Sequence, residues 1–324
     1  MTRDAVLVTG GNSGIGFECA RALAQSGRHV VIASRDRQAS DAAVQRIAGE
    51  SGGDTITALD LDLASTASVR RLVREVDERN LPLRAVVCNA GMQTSKGLRV
   101  NDDGVEMTFA VNHLGHFLLV NLLLDRLVAH APARIVVVAS GVHDPAMLTG
   151  MPKPAIEDLD KLAATGGPGR GEFNGRLAYV NSKLCNLWFT YELARRLDAA
   201  GLMGDGRLTV NAFDPGLVPG SGLGRDYPAP LRFVWNSILP GVAQALTNFI
   251  PMINPAPKSG AALARLVLDP DLASVSGKYF PSHTRWQETR SSVASYDQER
   301  ARALWEDSVR RTQLKAGDSP LLPG

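Results

Sequence analysis

Cysteine is scarce in this 324-residue chain, and the three present, Cys19, Cys88 and Cys185, cannot all pair. Each sits inside an apolar periodic segment, which excludes a disulfide-stapled fold and points to a reducing cytosol. An excess of either charge is also lacking, with 35 Lys+Arg against 33 Asp+Glu. Neither nucleic acid nor a strongly anionic surface is therefore indicated as a partner. No uninterrupted apolar run reaches the ~18 residues that would read as a bilayer-spanning helix. The opening residues MTRD leave no room for a charged leader, an apolar core and a cleavage site, so no export signal is expected and the chain reads as cytoplasmic. No internal repeat and no linker separates two cores. With 44% hydrophobic residues there is ample apolar surface for one large α/β domain over 1–324.

Short apolar runs do alternate with helical patterns. AVLVTG (5–10), HVVIASR (29–35), TITALDLD (55–62), AVVCNAG (85–91), RIVVVAS (134–140), LTVNAFDPG (208–216) and SGKYF (276–280) read as seven strands. The first has no polar alternation, which suits a parallel strand covered on both faces. Helices are expected after the first strand and near 38–50, 66–79, 104–130, 178–198, 259–272 and 297–314. This interleaving predicts an α/β, doubly wound sheet. Gly10-Gly11-Asn12-Ser13-Gly14-Ile15-Gly16 stands between the first strand and a helix. Glycines there let backbone approach a pyrophosphate, whose charge the free N–H groups and the helix dipole stabilise. The second strand ends in Ser34-Arg35 rather than in an acid. An acid would accept from a ribose 2′-OH, whereas Arg35 can pair with a 2′-phosphate, so NADP(H) is favoured and NAD(H) stays open. Asp62, sharing a strand face with Asp60, can accept from an adenine amino group, and Asn89-Ala90-Gly91 lets backbone pass close to a cofactor.

The stretch 178–198 predicts one long amphipathic helix with Tyr179 and Lys183 on one face. A fixed ammonium favours the phenolate and lowers a phenol's pKa from about 10, each unit being worth about 1.4 kcal/mol, which makes a usable acid/base near neutral pH. Alone, YxxxK fits a surface tyrosine and a solvated lysine better; its weight comes from the company it keeps. Ser140 ends the fifth strand, where open α/β sheets place their chemistry, and can donate to a substrate carbonyl or cap the next turn. His113 and His116 are three apart, but no third ligand of suitable spacing accompanies them, so they read as satisfied, partly buried histidines, with Gly115 marking a close helix approach. Residues 141–178, rich in Gly and Pro with one helical candidate, IEDLDKLA, read as an active-site insertion. Segment 217–257 mixes Tyr227, Phe233, Trp235, Phe249 and Ile250 with breaking prolines. It suits a hydrophobic cover over a substrate cleft and equally a plain packing excursion, with weak peripheral membrane contact as the lesser alternative.

Taken in order, Thr9 through Gly16, Asn89-Ala90-Gly91, Asn112, Ser140, Tyr179, Lys183 and Pro215-Gly216 resemble the short-chain dehydrogenase/reductase family over nearly the whole chain. VNHLGHFLL, the long insertion before Tyr179, AYVNSKLCNLWFTYELARRL and SGKYF resemble the branch containing retinol dehydrogenases, the WW-domain oxidoreductase and light-dependent protochlorophyllide reductases. The last differ in having a cysteine directly after the PG turn, where this chain has Leu217. The resemblance implies a single Rossmann-type domain with strand order 3-2-1-4-5-6-7 and a catalytic tetrad of Asn112, Ser140, Tyr179 and Lys183, with Asn112 supporting a water in the proton relay. Cofactor contacts are implied for Gly10, Asn12, Ser13, Gly14, Ile15, Gly16, Ser34, Arg35, Asp62, Leu63, Asn89, Ala90, Gly91, Tyr179, Lys183, Pro215, Gly216 and Val218. The implied activity is NADP(H)-dependent hydride transfer to or from the hydroxyl or carbonyl of an apolar, retinoid-like small molecule, in a homodimer or homotetramer. Light-driven C=C reduction of a tetrapyrrole and NADPH sensing without turnover are the alternatives, the second weakened because both Tyr179 and Lys183 are retained.

Overall fold

The computed structural model describes residues 3–322 apart from 54, 95–96, 170–171, 205–206, 223–228, 248 and 251. Tyr227, read above as part of the cover, lies outside the described residues. The seven runs form β1 (Ala5–Thr9), β2 (His29–Ser34), β3 (Ile56–Asp60), β4 (Leu83–Cys88), β5 (Ala133–Val138), β6 (Leu208–Asp214) and β7 (Tyr279–Pro281). All pairings are parallel, in the order β3-β2-β1-β4-β5-β6-β7. The order reverses between β1 and β4, and the crevice outside the carboxyl ends of strands at such a switch point is where ligands bind in this architecture.

Both faces of the sheet are covered, which is why its strands are apolar without alternation. Leu7, Val31, Leu59 and Val86 face α3 (Thr66–Glu78), α5 (Gly115–Ala129) and α7 (Gly175–Ala199). Val6, Val8, Ile32 and Val87 face α1 (Gly14–Gln25), α2 (Arg37–Ser51) and α10 (Ala256–Leu268). Strand ends depart from the apolar runs where a turn intervenes. β3 stops at Asp60, leaving Asp62 in the following loop rather than on a shared strand face. The final strand runs only from Tyr279; before it Gly277 takes φ +68° and side chains replace part of the backbone pairing with β6, the Ser276 hydroxyl accepting from the Val210 N–H and Asn211 Oδ1 from the Lys278 N–H.

The tyrosine helix corrects a second expectation. α7 is buried nearly all round from Ala178 to Ala194 rather than amphipathic. The cause lies far along the chain: α11 (Gln298–Arg311) packs on its outer face, with Trp305 against both Phe189 and Phe117. Trp188 Nε1 also donates to the Ala294 carbonyl. The segment Met107–Ala129 is long and apolar enough to cross a bilayer, yet 89% of its most apolar window is buried inside the protein. It comprises α4 (Met107–Phe109), a π-helical turn (Ala110–Leu114) and α5.

The insertion before Tyr179 holds α6 (Leu159–Thr165), and in the region read as a cover α8 (Ala229–Phe233), a π-helical turn (Val234–Ile238) and α9 (Leu239–Leu246) follow one another. The ends of the cover are zipped together: Leu217 N–H donates to the Met252 carbonyl, and Asn254 N–H donates back to the Leu217 carbonyl. Trp235 is buried, whereas Phe233 and Phe249 face outward.

Candidate active site

The glycine turn is shaped by contacts on one side and open space on the other. Gly10 and Gly14 take φ +65° and +56°, a region that L side chains rarely adopt. A Cβ on Gly16 would lie 2.4 Å from both the Gly10 carbonyl oxygen and Asn89 Nδ2, so glycine is needed there for close helix–strand packing, while a Cβ on Gly14 would meet nothing within 4 Å. Ser13 is the N-cap of α1 but makes no side-chain capping bond, and no acid lies in the first turn. By contrast α2, α3, α7 and α11 are capped by Asp36, Ser65, Asn174 and Asp297. The first-turn N–H groups and dipole of α1 thus have no built-in acceptor from the Ser13 side chain, which fits a pyrophosphate seated on the turn.

Thr9, named in the motif but given no role there, is a hub just before the turn. Its Oγ1 accepts the N–H groups of Asn89 and Ala90, both at 2.9 Å, and stands 2.9 Å from His116 Nε2. His116 Nδ1 lies 3.1 Å from the Asn112 carbonyl and can only donate there, so neutral Nε2 accepts the Thr9 hydroxyl. Asn89 Nδ2 returns to the Thr9 carbonyl at 2.9 Å. One hydroxyl therefore fixes the Asn-Ala-Gly turn beside the glycine turn. His113 and His116 are fully rather than partly buried. Burial pushes them down to about 3 and about 4. His113 Nδ1 lacks any partner among the described residues, because the ring is wedged between Phe109, Phe117 and Phe189.

Three of the four residues of the implied tetrad, Asn112, Tyr179 and Lys183, gather at the carboxyl edge of the sheet, and the fourth, Ser140, stands just past the end of β5. Lys183 Nζ is 5.5 Å from the Tyr179 ring centroid, as the four-residue spacing requires, and donates to the Val138 carbonyl at 2.9 Å. Ser140 follows Val138 by two residues. Burial lowers the Lys183 ammonium to about 8, opposed by the charge of Asp214. Asn112 is fully buried. Its Oδ1 accepts from the Met92 N–H, and its Nδ2 donates to the Met92 carbonyl and to Ser182 Oγ, so the side chain braces the loop after Gly91 against α7. A Cβ on Gly91 would lie 3.5 Å from Asn112 Oδ1 and 3.7 Å from Lys183 Nζ, so backbone, amide and ammonium border one small space.

The remaining implied contacts divide. Arg35 is exposed and lines a hollow of about 100 Å³ with Met92, Gln93, Thr94, Arg99, Met107 and Gly222. Arg99 carried no sequence signal. The Ser34 hydroxyl shares a 2.6 Å hydrogen bond with Ser40, at the start of α2, and is thereby drawn into the fold. Asp62 Oδ1 accepts from its own loop at Ala64. Asn12 is half-buried, Ser13 exposed, and Ile15 packs partly against the α1-side core. The side chains of Leu63 and Val218 are buried, so only their backbone could reach a ligand. Pro215 and Gly216 form a tight anchor: the Pro215 carbonyl accepts from Ser259 Oγ, and a Cβ on Gly216 would lie 2.3 Å from Ser282 Oγ. Among the described residues, no three His, Cys, Asp or Glu side chains gather as a metal site.

Comparison with known proteins places this arrangement. A family model described as short chain dehydrogenase matches residues 4–149. The chain is 36% identical over 315 residues to a WW domain-containing oxidoreductase of Danio rerio, covering 96% of this chain and 69% of that protein. It is 35% identical over 311 residues to retinol dehydrogenase 13 of Homo sapiens, covering 96% and 85%. Among solved structures, a 3-oxoacyl-[acyl-carrier protein] reductase from Brucella melitensis in complex with NAD superposes with a TM-score of 0.62 at 22% identity, covering 87% of this chain and 96% of that one.

Proposed function

Because the chain belongs to the short-chain dehydrogenase family of oxidoreductases, we propose that it is an NADP(H)-dependent enzyme that interconverts the hydroxyl and carbonyl of an apolar small molecule, with Tyr179 as its acid/base. The observation that carries this reading is the buried Tyr179–Lys183 pair beside the carboxyl end of β5, at the same sheet edge as the uncapped N-terminus of α1. The exposed Arg35 at the end of β2 favours a 2′-phosphate over a bare ribose hydroxyl. Outward Phe233 and Phe249 and buried Trp235, in the segment that follows the Pro215-Gly216 anchor, favour an apolar substrate. A homo-oligomer would use a face other than the one α11 covers on α5 and α7.

When bound, the reduced nicotinamide supplies the hydride. In the reducing direction Ser140 Oγ and the Tyr179 hydroxyl donate to the substrate carbonyl oxygen, where negative charge develops as the carbon is reduced. Tyr179 then transfers its proton to that oxygen, and the Lys183 ammonium stabilises the phenolate left behind. Asn112 holds the Met92 backbone and Ser182 in register so that this edge does not widen.

Tyr179→Phe removes the proton and little else. Turnover of a retinoid and aliphatic carbonyl panel should fall by about 10²- to 10⁴-fold, while NADPH, followed by fluorescence, still binds. Full activity in that variant would reject Tyr179 as the acid.

A further inference from the structure

Asp214, the last residue of β6, is absent from the motif-based site, yet it is 2% exposed at the same sheet edge. Its Oδ1 accepts from the Gly216 N–H at 2.9 Å and its Oδ2 from the Tyr279 hydroxyl at 3.1 Å. Oδ2 also abuts the turn that carries Ser140, since a Cβ on Gly141 would lie 3.0 Å from it. Val138, whose carbonyl takes Lys183 Nζ, is paired in register with Phe213, the neighbour of Asp214. The carboxylate is therefore clamped between the Ser140 turn, the Pro215-Gly216 anchor and β7.

We propose that Asp214 is a positioning residue for the Tyr179–Lys183 pair: its clamped carboxylate keeps the buried Lys183 charged, and through Lys183 keeps the Tyr179 phenol acidic. The inference rests on the acid/base reading above. Lys183 is almost wholly buried, and its carbonyl acceptor is shared with Asn186 Nδ2, so one dipole must serve two donors. Burying an ammonium favours its neutral form, and a nearby opposite charge reverses that.

The other ionisable groups around the pair do not supply that charge. His116, from α5, is held neutral by burial. His143, in the turn after β5, donates from Nδ1 to the Ser140 carbonyl and accepts at Nε2 from the Ser292 N–H, so it is neutral too. Tyr279 on β7 and Tyr191 on α7 have phenols pushed upward by burial. Asp144 acts on His143 and Tyr279. Asp307, on α11, is taken by Arg310 and Arg311, and the buried Glu106, just before α4, has its carboxyl raised by burial and turned to the Thr108 and Phe109 N–H groups. Asp214 is the carboxylate whose charge acts on Lys183.

Asp214→Asn is isosteric: its amide oxygen can still accept from the Gly216 N–H, and its nitrogen can donate to the Tyr279 hydroxyl oxygen. In intact protein labelled with [ε-13C]lysine, the Lys183 resonance, assigned with Lys183→Arg, should titrate about one pH unit or more lower in Asp214→Asn than in wild type. In Tyr279→Phe, which loosens the carboxylate without removing its charge, the midpoint should stay close to wild type. An Asp214→Asn midpoint equal to wild type overturns the proposal. So does a Tyr279→Phe midpoint that falls by a unit; Asp214→Ser, which also keeps an acceptor for the Gly216 N–H and carries no charge, replaces Asp214→Asn if that variant does not fold, with the same expected shift and the same refuting result. The readout needs no turnover, so an active Tyr179→Phe would sink the acid assignment while leaving the Asp214–Lys183 coupling separately measured.

Discussion

Mild acid should destabilise this protein through its two buried histidines, opposed by Glu106, whose carboxyl burial raises so that the folded chain takes up that proton more readily than the unfolded one. His113 and His116 lie one turn apart in the Met107–Ala129 segment and titrate at about 3 and about 4 in the folded chain, against about 6.5 when unfolded. The folded values are lower, so the unfolded chain binds more protons at every pH between them, and stability falls as pH drops below about 6.5. From pH 7 to pH 5 each histidine then costs about 2 kcal/mol, and the two together about 4 kcal/mol, out of the 5–15 kcal/mol typical of a folded domain. Lys183, at about 8, is protonated in both states across this window and adds little. His143, also lowered by burial, adds in the same direction. The structural cause differs at each ring. Protonating His116 would place an N–H against a Thr9 oxygen that already accepts two others, whereas protonating His113 would create a buried N–H with no acceptor. Urea unfolding at pH 7 and pH 5 measures the sum. His113→Leu suits the same cavity and leaves Ser308 Oγ its bond to the Leu304 carbonyl. Its acid loss should shrink to about 2 kcal/mol. A variant that keeps the full loss, or a wild type equally stable at both pH values, would refute the assignment.

Arg35→Ala should weaken NADPH binding about 10- to 100-fold, the equivalent of one charge-assisted contact of about 1.5–3 kcal/mol, and leave NADH binding nearly untouched; isothermal titration with both cofactors tests it, and equal losses would remove Arg35 from the phosphate. Gly16→Ala forces a methyl to within 2.4 Å of the Gly10 carbonyl. It should cost about 1–3 kcal/mol in thermal unfolding together with a loss of cofactor affinity, and an unchanged melting curve would mean that the turn can relax.

Much of the architecture was legible from residue order, because it depends on neighbours a few positions apart. Unalternating apolar runs separated by helical periods predict a parallel sheet covered on both faces, and all seven strands are there. The glycine turn and the Tyr179–Lys183 spacing are likewise local, since a four-residue step puts two side chains on one helix face whatever surrounds them. Tertiary structure decided what depends on partners distant in sequence. α7 looked amphipathic until α11, more than a hundred residues later, closed its outer face. Thr9 became a hub only when His116 was folded against it, and Asn112 became a brace because Met92 and Ser182 converge on its amide. Asp214 reads in sequence as the end of an apolar strand before a PG turn. Its place between the Ser140 turn, the Pro215-Gly216 anchor and Tyr279 follows from the alignment of three strand ends, and burial there, which no local pattern encodes, is what gives its charge leverage on Lys183.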